Sequence, residues 1–196
     1  MLYSRDSLPQ LIEAVRDSDT SRQHEGMVGI GKVLDATGNE EKQEVVDAGI
    51  LPKVMECIRQ QGHSHLREEA ASVLSSIASG TSVQCQNVVD KGGIPLLLDI
   101  LQFKDEKLVG KVLSALNTIC SDSIFLRDNI TKQGGIGKIV EVVQGAPEDA
   151  NETVKKGCQV LSNLCRGNPF PRYNNIQQAI PVLCQFVVRS EKILSK

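Results

Sequence analysis

Apolar residues recur along the chain at helical spacing, as in Leu74, Ile77 and Ala78 or Leu116, Ile119 and Cys120, and no segment sustains the period-two alternation of a strand. The pattern also repeats on a longer scale. The segments SLPQLIEAV, ILPKVMECI, GIPLLLDIL, GIGKIVEVV and AIPVLCQFV align, and their third positions, Pro9, Pro52, Pro95, Gly137 and Pro181, fall about 43 residues apart. A second series keeps step with the first: ATGNEEKQEVVDAG, GTSVQCQNVVDKGG and DSIFLRDNITKQGG. So does a third: GMVGIGKVLDA, EEAASVLSSIASG, GKVLSALNTICSD and KKGCQVLSNLCRG.

Each unit reads as three helices. The first is short, as over 84–91, and Thr81 with Gln84 has the form of a capping box ahead of it. It stops at glycines (Gly49, Gly92 and Gly93, Gly134 and Gly135), which permit the left-handed turn of a sharp reversal. The second helix carries Pro in its first turn, where the missing N–H is harmless. The third is the longest. A three-helix unit of this period predicts an all-α, right-handed armadillo-type solenoid of about four repeats. The expected layout is a single solenoid domain over 1–196: a partial repeat at 7–37, repeats at about 40–80, 82–122 and 123–167, and a partial repeat at 170–190. The last helix, IPVLCQFVV, lacks a following third helix to pack on. An exposed apolar flank is therefore expected there, from truncation or for a partner, and open to oligomerisation.

Composition agrees with close-packed short helices: hydrophobic content is 40%, aromatic content only 3%, and there is no Trp. The net charge of −2 gives no support to nucleic-acid binding. No apolar run approaches a signal-peptide core or a membrane span, so a soluble intracellular protein is expected. The cysteines (57, 85, 120, 158, 165 and 184) form no C-x-x-C pair and read as small buried hydrophobes. Cys158 and Cys165, two turns apart on one helix, read as packing rather than as metal ligands. His63 and His65, at a helix start without Cys or acidic partners at ligand spacing, read as solvated. No cofactor is implied.

Gly26, Gly31 and Lys32 match a phosphate-loop pattern, but Val33 stands where it needs Ser or Thr and no strand precedes it. The period places them on a third helix instead, where each glycine costs up to about 1 kcal/mol and nothing in the sequence accounts for it. The sequon at Asn151 has no secretory signal to give it meaning. No nucleophile–base set is evident, so the chain is not expected to be an enzyme.

The residues also carry a resemblance. REEAASVLSSIASGTSVQCQNVVDKGGIPLLLDIL closely resembles the second-to-third armadillo repeat of the importin-α family, adaptors for nuclear localisation signals. GKVLSALNTICSDSIFLRDNITKQGGIGKIV and CQVLSNLCRGNPFP are similar to the next two repeats, and NEEKQEVVDAGILPKVMECI to the first. The resemblance implies a concave groove lined by third helices, each carrying W-x-x-x-N. The indoles sandwich lysine stems, and the amides, which both donate and accept, clamp an extended peptide. Residues i and i+4 share one helix face, which suits this division of labour.

In this chain the Trp positions are Ser72, Ser114 and Gln159, and the Asn positions are Ser76, Thr118 and Asn163. Each Trp platform is worth about 1 kcal/mol, so their loss amounts to roughly 3 kcal/mol, or about a hundredfold in affinity. Gly110 and Lys111 replace the family's Glu-Gln, with Lys107 a turn earlier, and that face repels basic peptides. Part of the lysine pocket persists. Gly80 stands where a carbonyl caps the lysine, Asp122 where an Asp pairs with it, and Cys85 replaces a hydroxyl residue. Asp122 is open to two readings, this one and a helix cap. Arg166 and Asn163 belong to the family-like string LSNLCR and fit both packing and binding.

The expected function is thus a non-enzymatic adaptor, cytoplasmic and nuclear, binding basic signal peptides for import. The alternative is a degenerate scaffold engaging another protein through its groove or open C-terminal end. The family's basic amino-terminal segment is absent, so recruitment of importin-β through this chain is not expected, nor is binding to nucleic acid or membrane.

Overall fold

A computed structural model describes residues 4–147 and 151–194. The described residues contain no strand, and no described helix is long and apolar enough to cross a membrane. The chain divides into two compact units, 1–96 and 97–196.

The first unit opens with a 3-10 turn, Arg5–Ser7, followed by α1 (Leu8–Arg16), α2 (Thr20–Ala36), α3 (Asn39–Asp47), α4 (Leu51–Arg59), α5 (Ser64–Ala78), α6 (Ser82–Asp90) and the start of α7 (Gly93–Ile100). Pro9 and Pro52 sit in the first turns of α1 and α4, as the sequence predicts. The capping box is also present, with Thr81 accepting from the Gln84 N–H and the Gln84 side chain returning to Thr81 N. This cap starts α6 at Ser82, two residues before the position expected.

The glycine pairs divide their labour. Gly92 takes φ +85°, a region only glycine enters without strain, and turns the chain. Gly93 is needed for closeness: a Cβ there would stand 2.7 Å from the Val88 carbonyl oxygen.

Two glycines of α2, Gly26 and Gly29, now have a cause. α2 packs against α1 and α5. A Cβ on Gly26 would lie 2.8 Å from the Leu11 carbonyl oxygen and 3.0 Å from Val15 N, and one on Gly29 would overlap the Leu11 methyls. Gly26 lets two helix backbones approach, and Gly29 makes room for the Leu11 side chain. Gly31 has no such neighbour, its hypothetical Cβ meeting only Val73 Cγ2 at 3.9 Å. The unit's core is aliphatic, with Leu8, Met27, Ile30, Ile58, Leu74 and Ile77 all but fully buried.

The second unit continues with α8 (Glu106–Asp122), α9 (Ile124–Lys132), α10 (Gly135–Gly145), α11 (Asn151–Leu164), α12 (Tyr173–Ile176) and α13 (Ala179–Leu194). Arg127 of α9, 3% exposed, donates Nη1 to the carbonyls of Arg166 (2.8 Å) and Pro169 (3.1 Å) and so ties down the segment that leaves α11.

On α13, Ile180, Val187 and Val188 are 38%, 53% and 51% exposed. The residues aligned with Ile180, namely Leu8, Leu51, Ile94 and Ile136, are buried, and those aligned with Val187 are buried (Val15, Ile58 and Leu101) or half-buried (Val143). Cys184 lies in the same exposed row. The apolar flank expected from the sequence is there.

The thiols differ accordingly. Burial pushes Cys57 up to about 11, and burial likewise pushes Cys120 up to about 11, against an ordinary value of 9.0. Burial also raises Cys158 and Cys165. Because Cys184 is exposed while Cys57, Cys85, Cys120 and Cys158 are buried, a maleimide should modify Cys184 well before these cysteines, as peptide mass mapping would show. Equal labelling of Cys57 would contradict the burial described. A fall in Cys184 labelling as protein concentration rises is the signature of self-association through this flank. The sign of the alkaline effect follows too. Thiols of the unfolded chain ionise near 9 while Cys57 and Cys120 stay neutral to about 11, so stability is intact below pH 9 and declines above it.

Candidate peptide-binding faces of the third helices

The third helices of the first unit are α2 and α5. On α5, His65, Glu68, Glu69, Ser72, Ser76 and Ser79 fall on one side by helical periodicity, and all are exposed or half-buried. Ser76 Oγ donates to Asp35 Oδ1 of α2 at 3.2 Å, so the two helices present a joint polar row. This face is acidic on balance, with Asp35, Glu68 and Glu69 against Lys32.

Gly80 follows at the end of α5. A Cβ there would overlap the Gln84 amide and approach Lys42 Cδ to 3.1 Å, so glycine makes room for a side chain that knits the repeats. Gln84, 2% exposed, accepts from Thr81 N (3.0 Å) and donates to Asn39 O (2.7 Å) and Gln43 Oε1 (3.2 Å). Cys85 is 0% exposed, and a wholly buried thiol presents nothing to a surface ligand.

In the second unit α8 and α11 lie side by side and parallel. Thr153 Oγ1 meets Glu106 Oε1 at 3.4 Å, Lys156 Nζ donates to Gly110 O at 3.4 Å, and Asn163 Nδ2 donates to Asn117 Oδ1 (2.7 Å) and Ser121 Oγ (3.0 Å). Asn163 is thus 8% exposed, with its amide hydrogens committed to the seam between the helices. The outward row on α8 is Lys107, Lys111, Ser114, Thr118 and Asp122; on α11 it is Glu152, Lys155, Gln159 and Ser162, with Arg166 two residues past the helix end. Ser114 and Thr118 are half-buried and donate to the carbonyls of Gly110 (3.0 Å) and Ser114 (3.1 Å), spending their hydroxyl hydrogens inside the helix. Gln159, Arg166 and Asp122 are exposed.

Asp122 is the last residue of α8, and the cap of α9 is Ser123, whose Oγ accepts from Leu126 N. The capping reading of Asp122 is therefore corrected: its neighbour does that work. Of the lysine-pocket residues, Gly80 and Cys85 lie in the first unit and Asp122 in the second.

Sequence reasoning missed the charged residues that colour these faces, Asp35, Glu68 and Glu69 in one unit and Lys155 and Lys156 in the other. For all but Asp35 the signal was simply helical spacing from Ser72 and Gln159; Asp35 is brought to the face by the packing of α2 on α5. His24 was missed as well: its ring lies 6.4 Å from that of His65 across a hollow of about 330 Å³ that His63 also lines. No group of three metal-ligating side chains is assembled among the described residues. A larger concavity of about 690 Å³ lies off the third-helix rows, lined by Leu101, Phe103, Val109, Lys138, Val142 and Thr153 among others. Volume alone does not make it the better site, because it joins none of the residues with peptide-binding character.

Paired third helices with open polar rows, short first helices and glycine-turned junctions define the armadillo fold, a protein-binding scaffold. Comparison with known proteins agrees. Residues 38–79 match the model of the armadillo/beta-catenin-like repeat. Importin subunit alpha-2 of Arabidopsis thaliana is 30% identical over 179 residues, covering 91% of this chain and 33% of its own length. The chain thus spans about a third of that relative. Among solved structures, an engineered protein superposes with TM-score 0.77 at 25% identity, over 89% of this chain and 69% of its own. A designed armadillo repeat protein in complex with the peptide (KR)4 gives TM-score 0.81 at 21% identity, over 92% and 74%. The chain is a divergent armadillo-repeat protein.

Proposed function

We propose that this protein is a non-enzymatic adaptor of importin-α type, taking extended basic segments of partner proteins on its third-helix faces for nuclear import between cytoplasm and nucleus. The observation that carries this reading is the face of α5 and α2, where Glu68, Glu69 and Asp35 supply carboxylates to a lysine-rich guest and Ser72 and Ser76 supply hydroxyl groups to its backbone. The likeness to importin subunit alpha-2 supports it, as does a structural neighbour that holds a Lys-Arg peptide. Asp122 and Gly80 stand at the family's lysine positions. A second reading, a degenerate scaffold that no longer takes basic signals, is favoured by Asn163, whose amide hydrogens face the helix seam, and by the burial of Cys85.

Anisotropy titration of a labelled basic signal peptide separates the two. Under the first reading it binds at sub-micromolar concentration, and Glu68→Lys with Glu69→Lys weakens it about tenfold or more. Absence of binding at about 100 μM, roughly −5.5 kcal/mol, or indifference to all of these substitutions, leaves the scaffold reading.

A further inference from the structure

The α8–α11 face differs in charge from the chain as a whole. The protein carries −2 overall, yet on this face Lys107, Lys111, Lys155, Lys156 and Arg166 outnumber Glu106, Asp122 and Glu152. Lys107, Lys111, Lys155 and Arg166 are exposed and take part in no ion pair among the described residues. Lys156 is turned to the Gly110 carbonyl, which keeps its charge beside the seam. The interhelical bonds from Glu106–Thr153 through Gly110–Lys156 to Asn117–Asn163 hold the two rows in register. The four lysines therefore sit on one braced pair of helices, with Arg166 just past the end of α11.

From this we infer that the second unit's third-helix face is a docking surface for an acidic, Asp- and Glu-rich extended segment of a partner protein. The inference rests on the proposed reading of these faces as peptide-binding and specifies the guest for one of them. Lys107 and Lys111 are one helical turn apart, about 6 Å along the axis, close to the two-residue repeat of an extended chain at about 3.3 Å per residue. Carboxylates on alternate residues of such a segment match that spacing. Between the cations, the oxygens of Ser114 and Thr118 remain as acceptors, and Gln159 offers an amide, so backbone N–H and C=O groups of the guest also find partners. A polycation suffers repulsion here, whereas the carboxylates of the α5 face belong to the other unit.

Nucleic acid fits less well than a peptide. The face carries no aromatic side chain on which a base could stack, and Asp122 and Glu152 flank it. Neither matters to a short acidic peptide, which needs only the lysine rows.

The test titrates a labelled peptide of alternating Asp and Glu, and in parallel one of alternating Lys and Arg, onto the full chain and onto Lys107→Glu/Lys111→Glu. All substituted positions are exposed, and a thermal melt together with Lys107→Arg/Lys111→Arg controls for folding. The acidic peptide should bind the full chain, lose about tenfold or more in the Glu variant, recover in the Arg variant, and weaken several-fold between about 50 and 200 mM salt. Binding indifferent to the charge reversal overturns the inference. So does binding of the basic peptide alone, in which case the adaptor reading still stands. Silence from both peptides removes the adaptor reading as well. A single-stranded RNA that displaces the acidic peptide at equal concentration would mark a general polyanion surface and also overturns it.

Discussion

Arg127→Ala should lower the unfolding free energy of the second unit by about 3 to 4 kcal/mol, the range for removing one partner of a buried charged network. The guanidinium is 3% exposed and donates to two carbonyls, Arg166 O and Pro169 O, and to Asp128 Oδ1 at 2.8 and 2.7 Å. The bond to Asp128 contributes little, because that carboxylate is 43% exposed and water can replace its partner. The two carbonyls decide the outcome: truncation strips both of their donor and opens a hole beneath the segment following α11. Arg127→Met keeps the stem and should recover only the packing share, about 1 kcal/mol. Gly167 belongs to the same arrangement, with φ +125° and no room for a Cβ beside Arg127 Nη1. Urea unfolding followed by far-UV dichroism checks the prediction, and a loss below about 1 kcal/mol would show that the clamp is ornamental.

The second large effect is a reversal of sign between two glycines on one helix. Alanine is favoured over glycine in a helix by about 1 kcal/mol. Gly31→Ala should follow that preference and stabilise by about 0.5 to 1 kcal/mol, since its added methyl meets only Val73 Cγ2 at 3.9 Å. Gly26→Ala should instead destabilise by about 2 kcal/mol. Its methyl would press on the Leu11 carbonyl oxygen at 2.8 Å and on Val15 N at 3.0 Å, backbone atoms that move only if all of α1 moves. Thermal melts of the two variants give the signs directly. Equal shifts would mean that α1 yields freely and that the close approach is not required.

The repeat was legible because it recurs: prolines, glycine pairs and apolar triplets in step determine helix type and junctions without knowledge of the tertiary contacts. Thr81 with Gln84 was legible as a cap for the same local reason. What stayed hidden depends on neighbours distant in sequence. Gly26 and Gly29 of α2 make sense only once Leu11 and Val15 are beside them. Asn163 looked like a peptide clamp until Asn117 and Ser121, on another helix, took its hydrogens. Asp122 was ambiguous because a carboxylate and a hydroxyl are adjacent at the junction, and only geometry shows Ser123 bonding Leu126. The charge of each face was present in the sequence, but a net charge of −2 averages an acidic row and a basic row into near neutrality.

Gln84 carries a further consequence. One buried side chain holds the start of its own helix, through Thr81, and reaches back to Asn39 and Gln43 of the preceding repeat. α3 cannot swing away without also undoing the beginning of α6. Fraying that starts in one repeat is handed to the next, so this unit opens as a linked pair rather than one helix at a time.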